Sequence, residues 1–109
     1  MRDDRGAGAV LALALVGATT VVLVAVLALV ASLVHRQRVI GAADAAALAA
    51  ADGASGAVGG VPCGLAERVA AANGTTLAAC LRDGLVATVT VSAPFGPVAF
   101  SARSTAGPP

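Results

Sequence analysis

Cys63 and Cys80 are the only thiols in this 109-residue chain and stand 17 positions apart. A lone pair of cysteines can form a disulfide, work as a redox couple or contribute to a zinc site. Zinc needs further Cys or His ligands nearby, and the single histidine, His35, precedes both thiols. Redox catalysis favours a Cys-x-x-Cys spacing, which the chain lacks. The choice is then between two reduced, unrelated thiols in a cytoplasmic domain and a structural disulfide, and the meagre core favours the disulfide. In an oxidising compartment it would close a loop of about 17 residues and contribute roughly 3 kcal/mol in the chain-entropy treatment.

The other chemically capable side chains do not assemble into a catalytic set. His35 lies in a basic cluster with Arg36 and Arg38, and no nucleophile or carboxylate is spaced to work with it. It reads as an interfacial residue facing lipid headgroups. Asp44 and Asp52 are eight residues apart, about 12 Å along a helix axis, which is too far for a carboxylate pair. Both read as solvated groups, with Asp44 in reach of Arg38 or of a partner's Arg. Asn73-Gly74-Thr75 matches a glycosylation sequon, although Asn-Gly also serves as a helix stop. The chain is therefore expected to be no enzyme, with no cofactor, no metal and no small-molecule substrate. Formal net charge is +1, and the seven basic residues are all Arg and are scattered. With two Phe and no Trp or Tyr, the chain lacks a nucleic-acid-binding footprint.

The elements that must position these residues begin with an uncharged run from Ala7 to Val34, interrupted only by Thr19, Thr20 and Ser32 among polar side chains. Roughly 20 apolar residues cross a bilayer core, so this run is long enough for a transmembrane helix. A signal peptide carries an apolar region of only about 7 to 15 residues before a small-residue cleavage site. Here the run closes on His35, Arg36 and Arg38, as an anchor does. Gly17, with Ala14 and Ala18, offers a small-residue face for helix association. Met1 to Gly6 is a charged head, with Arg2 and Arg5 offset by Asp3 and Asp4. The basic count barely favours either orientation, so the two cysteines decide it, and the carboxy-terminal part is expected outside the cytoplasm.

Residues 35–52 are rich in Ala and free of Pro. They read as an extension of the same helix, making a rod of about 65 Å from Ala9. Arg38, Asp44 and Asp52 mark its wet side. Ala42, Ala43, Ala46, Ala47 and Ala50 form a packing face that admits another backbone closely, either the chain's own small domain or a neighbouring helix. Residues 53–62 read as a Gly-rich linker, with four Gly and one Ser between Gly53 and Gly60.

A small α+β domain is expected over 63–103. Leu65 to Ala72 reads as a helix with Leu65, Val69 and Ala72 on one face, stopped by Asn73-Gly74. Thr76 to Arg82 and Leu85 to Ala93 read as strands joined by a two-residue Asp83-Gly84 loop. That loop sets Cys80 opposite Ala87 and Ala78 opposite Val89, with Leu85, Ala87, Val89 and Val91 on the buried face. Pro94-Phe95-Gly96-Pro97 reads as a turn, and Val98 to Arg103 as a third strand with Val98, Phe100 and Ala102 inward. Residues 104–109 read as a disordered tail. The fold class is α+β: a long transmembrane helix continuing as a rod, then a short helix on a small antiparallel sheet of two to three strands.

The head Asp4-Arg5-Gly6, the single span, Arg36-Gln37-Arg38 and the block Ala42-Ala43-Asp44-Ala45-Ala46-Ala47-Leu48-Ala49-Ala50-Ala51 together resemble the TadE/TadG-like proteins of tight-adherence type IVb pili. The chain resembles especially the short TadE-like proteins encoded beside secretion genes in GC-rich bacteria. The resemblance extends to the Pro62-Cys63 segment, the helix ending Ala71-Ala72-Asn73-Gly74 and the Cys80 hairpin. It implies a minor-pilin or pseudopilin-like component, with pilus or secretion-system membrane proteins and other pilin-like subunits as partners. Gly6 and Gly8 are the candidate peptidase-processing positions, and Leu11 and Leu13 stand where such precursors carry Glu. The alternative is a single-pass, membrane-anchored binding or regulatory module unrelated to pili.

Overall fold

The computed structural model describes residues 4–108. Residues 1–3 of the charged head and residue 109 of the tail lie outside the described residues. The elements, in chain order, are α1 (Asp4–Ser55), α2 (Pro62–Ala72), β1 (Thr76–Asp83), β2 (Val86–Phe95) and β3 (Val98–Ala106). The strands form one antiparallel sheet in the order β1-β2-β3. The class is α+β.

The chain divides between Leu33 and Val34 into two compact units. The first is the apolar part of α1. Its large side chains are exposed along its length, from Leu13 at 74% to Val30 at 49%. The Thr19, Thr20 and Ser32 hydroxyls donate to the carbonyls of Leu15, Val16 and Leu29, each at 2.8 Å. The helix thus satisfies its own polar side chains, as a helix in a solvent without hydrogen-bonding capacity must.

The second unit begins at Val34 and contains everything after it. The remainder of α1 continues the same helix, as expected, and belongs to one unit with the small domain. Its Val39, Ala42, Ala43, Ala46, Ala47 and Ala50 are buried, at spacings of three and four that make one helical stripe. They join Ala66 and Ala70 of α2 and Ala87, Val89, Val91 and Ala93 of β2 in a single apolar cluster. The central strand supplies two of the three largest fully buried side chains, Val89 and Val91, each worth about 1.5–3 kcal/mol when taken from water.

The segment between the helices is more ordered than its Gly-rich composition suggests. Helix α1 runs to Ser55 and α2 starts at Pro62, so the connection is shorter than a 53–62 linker. A Cβ on Gly53 would lie 2.7 Å from Leu65 Cδ1 and 3.1 Å from Pro62 Cα. Gly53 is thus a place where the two helices approach closely. Pro62 occupies the first turn of α2, where its missing N–H costs nothing. The buried face of α2 is Ala66 and Ala70, flanked by the half-buried Val69, while Ala72 is exposed. The expected helix stop is present. The Gly74 N–H donates to Ala71 O and the Thr75 N–H to Ala70 O, with Gly74 at φ +74°. The Thr75 hydroxyl also donates to Ala70 O at 2.8 Å.

The first hairpin is slipped from its expected register. The loop is Gly84-Leu85, with Asp83 paired to Val86, and Cys80 stands opposite Val89 rather than Ala87. Gly84 takes φ +61° at the first loop position while Leu85 at the second is not left-handed, the pattern of a type II′ turn. Moving the loop by one residue changes partners by two, so each side chain keeps its face. Ala87, Val89 and Val91 stay inward. Leu85 becomes a loop residue and is 49% exposed.

A bulge between Leu77 and Ala79 then leaves Ala78 without the expected partner and brings Leu77 opposite Val91. It switches β1 from even to odd inward positions, so Leu77 and Cys80 both pack against the core. The second hairpin turns more tightly than expected. Phe95 pairs with Val98 around Gly96-Pro97, and Gly96 has φ +59°. Residues 104–106, expected in a disordered tail, extend β3 and pair with Val89, Thr88 and Ala87. Their strand placement follows from the length of β2, whose backbone groups require partners on that side.

Candidate functional site

Three features could carry function: the exposed apolar part of α1, the disulfide-closed helix–sheet interface, and a cluster of rings at one end of the sheet. The chain's two cysteines are joined, with Cα atoms 5.9 Å apart. Cys63 lies in the first turn of α2 and Cys80 in β1, so the bridge staples α2 to the strand on which it packs. It adds a covalent link to the packing and the Gly74 turn that already join these two elements.

All five alanines of the candidate packing face, Ala42, Ala43, Ala46, Ala47 and Ala50, are at most 1% exposed. Of the two surfaces that this face could meet, it covers the chain's own sheet and α2. The absence of bulk along the stripe allows the helix to come close to β2, where Ala87 and Ala93 are also small. Arg38, Asp44 and Asp52 lie on the exposed side. Gly6 and Gly8 are exposed helical residues with nothing within 4 Å of an added Cβ.

His35, expected to face lipid headgroups, packs against aromatic rings of the chain itself. It precedes Val39 by one helical turn and so continues the buried stripe. Its ring lies 4.9 Å from that of Phe95 and 5.6 Å from that of Phe100, and the two phenyl rings stack at 5.6 Å. These separations fall in the range of favourable ring pairs. Nε2 of His35 is buried with no hydrogen-bond partner among the described residues. The available signal was scarcity: Phe95 and Phe100 are the only aromatic residues by composition, and they flank the Gly96-Pro97 turn. Val98, expected inward, lies on the core face by register but is 55% exposed at the hairpin end.

At the other end of the sheet a cleft of 220 Å³ is lined by Leu48, Ala51, Asp52, Ser55, Leu85 and the chain's Gly107-Pro108 segment. It is smaller than the roughly 300–1,000 Å³ of ordinary small-molecule sites. Among the described residues, no group of three or more His, Cys, Asp or Glu side chains comes together.

No protein-family model, no curated protein and no solved structure matches the chain. The described residues contain one helix long and apolar enough to cross a membrane, near the amino terminus, and its most apolar stretch is entirely unburied. That exposure separates it from the core helix of a soluble domain, which passes the same length and composition test only by being covered.

Proposed function

We propose that this chain is a membrane-anchored, pilin-like structural or assembly component of a type IVb pilus or related secretion system. The observation that carries the reading is the dual use of α1. One uninterrupted helix is apolar and exposed along its first part, then buries an alanine stripe under a small disulfide-closed sheet. Such a helix can exchange lipid for the apolar faces of neighbouring copies without unfolding the cap, because the cap is held by the other part of the helix and by its own bridge. Large exposed apolar surfaces require either lipid or protein neighbours.

The resemblance of Arg36-Gln37-Arg38 and the Ala42 to Ala51 block to TadE-like proteins supports the same reading. In it the anchor is single-pass, the carboxy-terminal domain is extracytoplasmic, and the partners are pilus or secretion-system membrane proteins and other pilin-like subunits. No catalytic step is assigned to any residue.

Purification of the tagged full-length chain from crosslinked envelopes tests this reading. Recovery of pilus or secretion membrane proteins is expected. A chain that is always recovered alone, or whose domain works equally well on an unrelated anchor, would overturn it in favour of a free-standing binding module.

A further inference from the structure

We propose that the tip of the β2–β3 hairpin, Phe95 to Val98, rests in the phospholipid headgroup layer of the bilayer that α1 enters. The proposal depends on the reading that the 7–34 run crosses a membrane. Val34 ends the apolar run and His35 is the next residue, so any group packed on His35 lies beside the end of that run. The Phe95 and Phe100 rings pack there, tilted to the imidazole. The three aromatic rings of the chain, His35, Phe95 and Phe100, are thus gathered at that level.

The surface of the tip suits the same environment. Val98 is 55% exposed on the face of the sheet that α1 covers elsewhere. Pro94, Gly96, Pro97 and Ala99 are also exposed. No charged side chain occurs between Asp83 and Arg103, so the tip carries no charge to be desolvated. Arg36 and Arg38, exposed just beyond His35, fit lipid phosphates at that depth. The opposite end of the sheet carries Asp83 and lies beside Asp52, an end that belongs in water. A shallow apolar tip with adjacent basic residues is the pattern of interfacial membrane contact.

The chain has no native Trp or Tyr, so single Trp reporters give a clean test. Full-length Leu23→Trp, Val98→Trp and Leu81→Trp variants are reconstituted in phosphatidylcholine–phosphatidylglycerol vesicles. The lipids are brominated either near the headgroup or deep in the acyl chain. Trp at 23 should be quenched by the deep bromines. Trp at 98 should be quenched by the shallow ones and be several-fold less accessible to iodide than Trp at 81, which is expected to see iodide alone. Pro97→Trp supplies a second tip reporter if Val98→Trp misfolds. Tip reporters as iodide-accessible as position 81, with position 23 still lipid-quenched, would overturn this proposal and leave the membrane anchor standing. An unquenched position 23 would refute the anchor itself, and the tip proposal with it.

Discussion

Removing the Cys63–Cys80 bridge is the most informative perturbation of this domain. The bridge closes 17 residues, and the chain-entropy relation gives a loss of about 3 kcal/mol when it is opened. The unit it serves begins at Val34 and, at roughly 0.05–0.15 kcal/mol per residue, has a total stability of about 4–11 kcal/mol. The lost constraint is therefore a quarter to most of what holds the domain together. A Cys63→Ser, Cys80→Ser double variant avoids a leftover free thiol and keeps side-chain volume close to native. Hydrogen exchange of the full-length chain in detergent micelles, read by mass spectrometry on peptides from β2, reports the opening of the core directly. A loss of 3 kcal/mol corresponds to roughly 150-fold faster exchange of the most protected β2 amides. Amides of the 7–34 run should be unchanged, because the bridge touches only the second unit. Exchange in β2 within about twofold of the parent, the size of ordinary denatured-state effects, would refute the reasoning that a meagre core depends on the crosslink.

Substitutions at four further positions probe the contacts that set the architecture. Ala46→Leu places a larger side chain at a position with 0% exposure and should cost about 1–3 kcal/mol. Leu48→Ala, at 58% exposure, should shift stability by less than about 0.5 kcal/mol; equal effects in the same exchange assay would contradict the stripe. Gly53→Val should destabilise by about 1–3 kcal/mol, because its Cβ would meet Leu65 Cδ1 at 2.7 Å and Pro62 Cα at 3.1 Å. Thermal unfolding no different from the parent would refute that close approach. Gly74→Ala forces a side chain onto φ +74° and should cost about 1–2 kcal/mol. Gly74→Asn should recover part of that loss, and an Ala variant as stable as the parent would contradict the left-handed helix stop.

Short-range pattern was enough for much of this protein. Twenty-eight consecutive uncharged positions from Ala7 to Val34 indicate a membrane-spanning helix because charge burial in hydrocarbon is so costly. The alternation of Val86 to Ala93 gives a half-buried strand, and Asn73-Gly74 gives a helix end, each through local backbone and solvation preferences. Two cysteines in a small domain with a thin core pointed to a bridge for the same reason that a small core needs one.

Register and neighbourhood came only with the tertiary structure. Gly84 could serve as the second residue of one turn or the first of another, and the choice belongs to the paired strands rather than to the dipeptide. The bulge at Ala78 exists because Leu77 and Cys80 must both reach the core although three positions separate them. Ser104 to Ala106 look like tail until a ten-residue β2 offers them partners. His35 looks like a headgroup ligand until the chain returns Phe95 and Phe100 to it. In each case the deciding energy is a contact between residues distant in sequence, which composition and local spacing do not encode.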